Sequence, residues 1–240
     1  FRYFLSAVLL AILSHASASA FEVKGLKTPE SFIVDPETEM YYISNIDGKP
    51  LEKDNNGFIS KLDASGKPVD LHFIDGKKAG MQLHAPKGLV IKGKELYVTD
   101  IDVVHYFDKK SGKHLGTIDF SLLKAKFLND PAVDDEGRIY VSDMLGNVIY
   151  RIDPRKKFQV SILAQGAALG QPNGLLYDKK NQRLIVATWE TGKMLSVGMD
   201  GKIGDLFHDA RFKNLDGVDF DNEGNVIISS FTGGQVYRIK

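Results

Sequence analysis

The chain contains no cysteine, which excludes disulfide bonds, thiolate metal ligands and a cysteine nucleophile. Excess charge of either sign is also missing, because 31 basic residues balance 31 acidic ones. A neutral chain lacks the basic face that a nucleic-acid partner or an anionic membrane surface requires. Neither a Gly-x-Ser-x-Gly elbow nor a phosphate-binding loop occurs, so serine-hydrolase and nucleotide chemistry find no support. Amphipathic helices are missing too, apart from a turn or two at residues 121–128.

Long hydrophobic runs are limited to one apolar stretch in residues 1–13. An early cation, Arg2, lies at its start, and small residues ending in Ala18-Ser19-Ala20 follow it. This order predicts a signal peptide over residues 1–20 and a mature domain over residues 21–240. An uncleaved anchor is the alternative, although the run is short for spanning a bilayer. We therefore expect a periplasmic or secreted protein with no stable membrane insertion after cleavage.

What the sequence does contain is a repeat. Five units each begin with a polar residue followed by an apolar strand, and we call these first residues the head residues: Glu30, Lys87, Asn129, Asn173 and Asp216. Successive head residues are 57, 42, 44 and 43 positions apart. Four short strands can be traced in each of the first four units and three in the fifth.

Four antiparallel strands that recur at this period are typical of propeller blades. A β-sandwich also has closely spaced strands, but it does not require the same unit five times in one register. The sequence therefore predicts an all-β propeller of four-stranded blades, with five blades visible. Because an unclosed ring leaves strand edges unpaired, we expect six blades in the intact protein and a C-terminally incomplete domain here.

The head residues carry the chemistry that the repeat predicts. The first residue of each inner strand lies near the axis of a propeller, so the five side chains are expected to converge. Two carboxylates and two amides, with a summed charge of −2, suit Ca²⁺ or another divalent cation, whereas zinc favours His and Cys. Turn capping explains any single Asn or Asp but not the same position in four units. The predicted metal ligands are Glu30, Asn129, Asn173 and Asp216.

The segments around these residues resemble the senescence-marker-protein/gluconolactonase (regucalcin-like) family of six-bladed propellers, which is similar to diisopropyl fluorophosphatase and the paraoxonases. The resemblance lies in four motifs: Pro29-Glu30, Leu128-Asn129-Asp130, Gln171-Pro172-Asn173-Gly174-Leu175 and Leu215-Asp216-Gly217-Val218. It implies a catalytic Ca²⁺ in the central tunnel and hydrolysis of a small-molecule substrate such as a lactone or related ester. It also implies Glu30, Asn173 and Asp216 as core ligands, Asn129 as the fourth, and Asp130 as a contact to ligand or substrate.

Lys87 departs from that pattern because it brings a cation to the same place. Two arrangements stay open for it: an ion pair with Asp100 or Asp102, or an inward ammonium that binds an anionic substrate or repels the metal. His84 is a candidate general base, although a loop histidine is more often only a hydrogen-bond partner. The candidate catalytic residues are therefore Asp130, Lys87 and His84.

Weaker features leave further alternatives. Trp189 follows a second strand and is either a packing residue or a substrate platform. Asp100 and Asp143 end similar strands and are expected to cap turns. Residues 46–56 lengthen the first unit and form either a lid over the tunnel or a plain surface loop. Two functions remain open: a calcium-dependent hydrolase, and a non-catalytic propeller that binds a ligand or protein partner around a structural cation.

Overall fold

The computed structural model describes residues 21–78 and 80–240 and is built from antiparallel strands and three short 3-10 turns. One of these turns, Ser121–Leu123, lies in the segment where the sequence allowed a helical turn. The predicted signal peptide lies outside the described residues and stays a prediction. Among the residues described, no helix has the length and apolar character that crossing a membrane requires.

Each unit of the repeat folds into its own sheet. Within the described residues, blade 1 contains β1 (Pro29–Val34), β2 (Tyr41–Asn45), β3 (Phe58–Leu62) and β4 (Pro68–Asp75). Blade 2 contains β5 (Leu89–Lys92), β6 (Glu95–Thr99), β7 (Val103–Asp108) and β8 (His114–Asp119). Blade 3 contains β9 (Leu128–Val133), β10 (Ile139–Asp143), β11 (Val148–Asp153) and β12 (Gln159–Gln165). Blade 4 contains β13 (Pro172–Asp178), β14 (Arg183–Thr188), β15 (Lys193–Gly198) and β16 (Ile203–His208), and blade 5 contains β17 (Leu215–Phe220), β18 (Val226–Ser230) and β19 (Gln235–Ile239).

The blades are arranged as a propeller. The first strand of each blade, namely β1, β5, β9, β13 and β17, contacts the first strand of the next blade. These inner strands therefore surround a common centre, and the later strands of each blade lie progressively further out. The prediction of an all-β propeller is confirmed, while the sixth blade and the domain limits stay predictions.

The hydrophobic core lies between the blades. Four apolar clusters each join two consecutive blades, as where Tyr97 of blade 2 packs with Tyr150 of blade 3. The other face of blade 1 is not covered by a blade among the described residues. It carries a cavity of about 380 Å³ lined by mostly apolar residues, with Phe32 and Tyr41 among them and Glu30 at its edge.

The aspartates that close most inner strands are turn residues. In blade 3, Asp134 Oδ1 accepts hydrogen bonds from the backbone N–H groups of Glu136 and Arg138 at 2.9 Å, and Gly137 supplies a φ of 75°. Blade 5 repeats this turn with Asp221 as the acceptor. Such aspartates fix the hairpins at the strand end opposite the head residues and are not available to the central site.

Candidate metal centre

Four of the five head residues lie in the same kind of β-bulge. In the pairing of β1 with β2, Pro29 and Phe32 are paired but the two residues between them are not. Equivalent register shifts occur in β9, β13 and β17. The residues left out of the ladders are Glu30-Ser31, Asn129-Asp130, Asn173-Gly174 and Asp216-Gly217. A bulge releases a side chain from the alternation of the strand and redirects it. The four oxygen-bearing head residues therefore share one structural position in four blades.

Contacts between blades connect these bulges. The Gly88 N–H donates to the Asn129 carbonyl at 3.0 Å, and the Leu175 N–H donates to Asp130 Oδ2 at 2.8 Å. On blade 4, Gly174 packs so tightly that a Cβ atom there would lie 2.2 Å from the Asp216 carbonyl oxygen. The structure therefore brings the predicted metal ligands of blades 3, 4 and 5 together as neighbours around the centre.

The two asparagines are buried, yet their amides are not consumed by the fold. Asn129 is 5% exposed, and its side chain forms no hydrogen bond within the described residues. The only fully buried side-chain polar atom without a partner in that part of the chain is His105 Nε2, so the Asn129 amide still contacts solvent. Asn173 Nδ2 contacts Met144 Sδ at 3.8 Å, which leaves its oxygen available. Both amide oxygens can therefore serve as ligands.

The carboxylates of the site repel one another. Burial raises the pKa of Glu30 to about 8, with further contributions from Asp216 and Asp130, while Lys87 opposes the rise. Glu30 is nevertheless exposed on the uncovered face of blade 1, so screening by solvent reduces this rise in pKa. Burial also raises the pKa of Asp216, against a hydrogen bond from Asn173. A divalent cation would favour the ionised forms of these groups.

The donor set suits Ca²⁺ only if the amides take part. In residues 21–78 and 80–240, no three His, Cys, Asp or Glu side chains lie close enough together to hold one ion. Glu30 and Asp216 supply two carboxylates, so Asn129 and Asn173 must supply the other protein oxygens. Hard oxygen donors of this mixture are the ligands that Ca²⁺ takes, with water filling its remaining positions.

Asp130 lies beside the predicted ligand Asn129 on the same bulge. Its Oδ2 accepts the hydrogen bond from the Leu175 N–H, and its own N–H donates to Ser142 Oγ at 2.9 Å. Burial raises the pKa of Asp130 to about 7, with Asp216 adding to the rise and the Leu175 N–H opposing it. A half-buried carboxyl in this state can exchange a proton near neutral pH.

Lys87 forms neither of the ion pairs expected from the sequence, with Asp100 or with Asp102. Its ammonium donates to the Ala85 carbonyl at 2.9 Å and lies 4.5 Å from the centre of the Phe127 ring. It forms no ion pair within the described residues, and Asp102 pairs with Lys53 instead, at 2.6 Å. Lys87 is 1% exposed, and burial lowers its pKa to about 8 against the charges of Asp100 and Glu30. The Lys87 ammonium therefore influences Glu30 electrostatically from a buried position.

His84 lies in a loop that the long insertion of blade 1 covers. Its Nδ1 accepts a hydrogen bond from the Asn55 N–H at 3.1 Å, and Asn55 Oδ1 accepts the Leu83 N–H at 2.8 Å. The insertion is thus fastened to blade 2, where Lys53 also pairs with Asp102. Only Nε2 of His84 stays available for proton transfer, and the insertion lies docked beside the site in this conformation.

Asp100 and Asp143 cap loops, as expected from the sequence. The Asp100 carboxylate accepts the N–H groups of His84 and Ala85 at 2.7 and 2.8 Å. The Asp143 carboxylate accepts those of Lys126 and Phe127 at 3.1 and 2.9 Å. Each carboxylate therefore fixes the loop that leads into the head residue of its own blade.

The sequence did not predict the hydroxyl side chains on second strands that donate hydrogen bonds to head-residue carbonyls of the following blade. Ser142 Oγ donates to the Asn173 carbonyl at 2.7 Å, which ties the second strand of blade 3 to the bulge of blade 4. Thr99 makes the equivalent contact from blade 2 to the Asn129 carbonyl. A signal was present, because Ser44, Thr99, Ser142 and Ser229 recur near the ends of second strands.

These observations define the class of the protein: a β-propeller whose inner strands present carboxylates and amides at equivalent bulges. The family model for the SMP-30/gluconolactonase/LRE-like region matches residues 28–240, and the chain belongs to this family. A search of curated protein sequences found no match.

Solved structures share the fold at low sequence identity. Selenomethionine-substituted virginiamycin B lyase from Staphylococcus aureus has a TM-score of 0.64 at 15% identity, over 88% of this chain and 69% of that one. A catalytically inactive variant of virginiamycin B lyase from the same organism, with quinupristin, has a TM-score of 0.62 at 11% identity, over 88% and 80%. A streptogramin B lyase has a TM-score of 0.62 at 15% identity, over 87% and 63%. Such identities establish a common fold and leave the reaction open.

Proposed function

We propose that the chain is a calcium-dependent hydrolase of lactones or related esters, with its site at the centre of the propeller. The observation that carries this proposal is the shared bulge, which presents Glu30, Asn129, Asn173 and Asp216 from four blades. Membership of a family that includes gluconolactonases supports the reaction class. The substrate is a small molecule, because the site lies among the inner strands of the ring.

Each part of the site has a distinct role in this proposal. Glu30, Asn129, Asn173 and Asp216 would hold the ion. When bound, Ca²⁺ would polarise the substrate carbonyl and stabilise the negative charge that develops on its oxygen. Asp130 is the general base, since it lies on the bulge beside Asn129 and bound Ca²⁺ would keep its carboxyl ionised. The Leu175 N–H keeps its carboxyl oriented.

Lys87 and His84 have supporting roles. The buried Lys87 ammonium lowers the pKa of Glu30 through its charge and favours an ionised ligand, without touching the substrate in this conformation. His84 keeps Nε2 free but uses Nδ1 to hold the insertion of blade 1. We therefore assign the proton transfer to Asp130 rather than to His84.

A non-catalytic propeller that binds a ligand or protein around a structural cation is the second candidate. It is favoured by the hydrogen bonds that already engage both candidate bases, Asp130 with Leu175 and His84 with Asn55. A site built only to bind a cation needs no free base. Turnover measurements separate the two functions.

The test is a panel of aldonolactones, acyl-lactones and aryl esters, assayed with Ca²⁺ and with a chelator. We expect chelator-sensitive turnover that falls at least about tenfold in Asn173→Ala, because the variant removes one ligand oxygen. Asn222→Ala is the matched control, since Asn222 is exposed in the turn between β17 and β18, at the end of β17 opposite the bulge. Calcium-loaded protein that hydrolyses nothing on the panel would favour the binding module. An unchanged rate in Asn173→Ala would contradict the ligand assignment.

A further inference from the structure

The loops that follow the second strands carry one apolar residue at an equivalent position in every blade. These residues are Ile46, Ile101, Met144, Trp189 and Phe231. In four blades the backbone N–H of this residue donates to the carbonyl two positions before the head residue, as Trp189 does to Gln171 at 2.9 Å and Phe231 to Asn214 at 3.0 Å. In these four blades the hydrogen bond therefore holds the apolar residue beside the segment that leads into the head residue.

Blade 2 is the exception, and it explains the position of Lys87. The carbonyl two positions before this head residue belongs to Ala85, and it accepts the Lys87 ammonium instead of a backbone N–H. The N–H of Ile101 turns to Asp100 Oδ1 at 2.7 Å. Lys87 thus donates to the Ala85 carbonyl, whereas the equivalent carbonyl in the other four blades accepts a backbone N–H.

The five apolar residues differ in what covers them. Ile46 and Ile101 are buried together against Ala85. Met144 and Trp189 are only partly covered although a blade follows each of them, and Phe231, in the last described blade, is 67% exposed. We call Met144, Trp189 and Phe231 the apolar wall.

The apolar wall is continuous with the candidate metal ligands. The rings of Trp189 and Phe231 are 5.3 Å apart, and Met144 Sδ lies 3.8 Å from Asn173 Nδ2. Asn214 Nδ2 donates to the Trp189 carbonyl at 3.1 Å, which fixes the tryptophan beside the segment that leads to Asp216. A thioether thus contacts the head residue of blade 4, and an aromatic pair lies beside the segments that lead to the head residues of blades 4 and 5.

We propose that the apolar wall binds an apolar group of the substrate, so that the site acts on esters or lactones with an aromatic or hydrocarbon substituent. Aromatic rings and a thioether offer contact area and ring edges to such a group. A polyhydroxylated sugar lactone would instead lose hydrogen bonds to water against this surface. The reaction part of this inference rests on the proposed function, whereas the binding part does not.

The binding test uses the only tryptophan of the chain, Trp189, as a fluorescent reporter. The full chain is titrated with acetanilide, the amide counterpart of phenyl acetate, and separately with acetamide. We expect a saturable change of Trp189 fluorescence with acetanilide alone. Met144→Ala and Phe231→Ala should each weaken this binding roughly tenfold. Phe207→Ala is the matched control, because Phe207 is also exposed but lies on the outer strand β16.

The turnover test compares phenyl acetate with glucono-δ-lactone in the presence of Ca²⁺. We expect the higher kcat/KM with phenyl acetate, and a loss in Phe231→Ala for phenyl acetate only. Acetanilide that leaves Trp189 fluorescence unchanged, or binds equally well to all variants, overturns the apolar wall as a binding surface. A higher kcat/KM with glucono-δ-lactone overturns the substrate class. Acetanilide binding without turnover of either compound supports the wall and contradicts only the hydrolase.

Discussion

At the scale of single residues, the neighbouring charges determine the pKa values of the carboxylates in the site. Glu30, Asp130 and Asp216 come from three different blades, and their mutual repulsion contributes to raising the pKa of Glu30. Lys87 is the one cation that opposes this, and it does so from a buried position. The sequence predicts the presence of these charges near the axis. It does not predict that the Lys87 ammonium donates a hydrogen bond to the Ala85 carbonyl. That carbonyl lacks a backbone N–H partner because of how blade 2 folds, which the sequence pattern does not reveal.

The raised pKa of Glu30 predicts how metal-free stability changes with pH. The pKa of Glu30 is raised from its ordinary value of 4.5 to about 8 in the folded protein, and exposure of the side chain to water reduces this shift. The folded state therefore binds more protons in this interval, and the contribution of Glu30 to stability falls as pH rises. Added Ca²⁺ should reverse the trend, because it binds the ionised carboxylate.

Thermal unfolding of wild type and Glu30→Gln, with chelator and with Ca²⁺, measures this contribution. The comparison is made between about pH 5 and about pH 7.5, and the difference between the two proteins cancels other groups such as Asp130 and the histidines. Wild type should lose more stability than Glu30→Gln over this range when chelator is present. Parallel profiles of the two proteins would show that Glu30 titrates as an ordinary glutamate.

At the scale of the elements, the bulge at the start of the inner strands determines what reaches the centre. The sequence predicts where these strands begin, since a polar head residue precedes an apolar run in each unit. It does not reveal that two residues per strand leave the ladder. A bulge leaves no periodic pattern of apolar residues in the sequence. The orientation of its side chains depends on hydrogen bonds from the neighbouring blade, such as that from Ser142 Oγ to the Asn173 carbonyl.

Two glycines at equivalent bulge positions test this dependence. Gly174→Ala would place a Cβ atom 2.2 Å from the Asp216 carbonyl oxygen, so backbone must move. We expect a loss of about 1–3 kcal/mol in the free energy of unfolding, together with weaker Ca²⁺ binding. Gly217→Ala is the matched control, because its Cβ would lie 3.5 Å from Ser229 Oγ, an ordinary contact. Urea unfolding and calorimetric Ca²⁺ titration provide the readouts, and equal losses in both variants would rule out the close approach to Asp216 as the cause.

At the scale of the whole molecule, packing and ion pairs between blades hold the ring in shape. Lys109 of blade 2 donates to Asp35 Oδ1 at 2.9 Å and to Glu37 Oε2 at 2.7 Å, both in the first hairpin turn of blade 1. The Tyr42 hydroxyl donates to the Lys109 carbonyl at 2.6 Å. Because Asp35 and the Lys109 ammonium are buried, neither can exchange its partner for water.

Removing this cation should therefore loosen the contact between blades 1 and 2. Lys109→Ala removes the ion pair of Asp35 but leaves its hydrogen bonds from Thr38 Oγ1 and the Glu37 N–H, and we expect it to lower the free energy of unfolding by about 1.5–3 kcal/mol. Lys110→Ala changes the adjacent, exposed lysine and should stay within about 0.5 kcal/mol of wild type. Urea unfolding measures both. A loss below about 1 kcal/mol in Lys109→Ala would show that water or another group compensates the carboxylate.

The sequence by itself determined the repeat, the all-β class, the hairpin turns and the four oxygen-bearing head residues. Each of these follows from spacing and residue type within a stretch of fewer than sixty residues, where local backbone preferences act. Only the tertiary structure decided where Lys87 points, that His84 holds the insertion of blade 1, and that Met144, Trp189 and Phe231 form an exposed wall while Ile46 and Ile101 are buried. Those outcomes depend on contacts between blades, which join residues far apart in the chain and which no local pattern specifies.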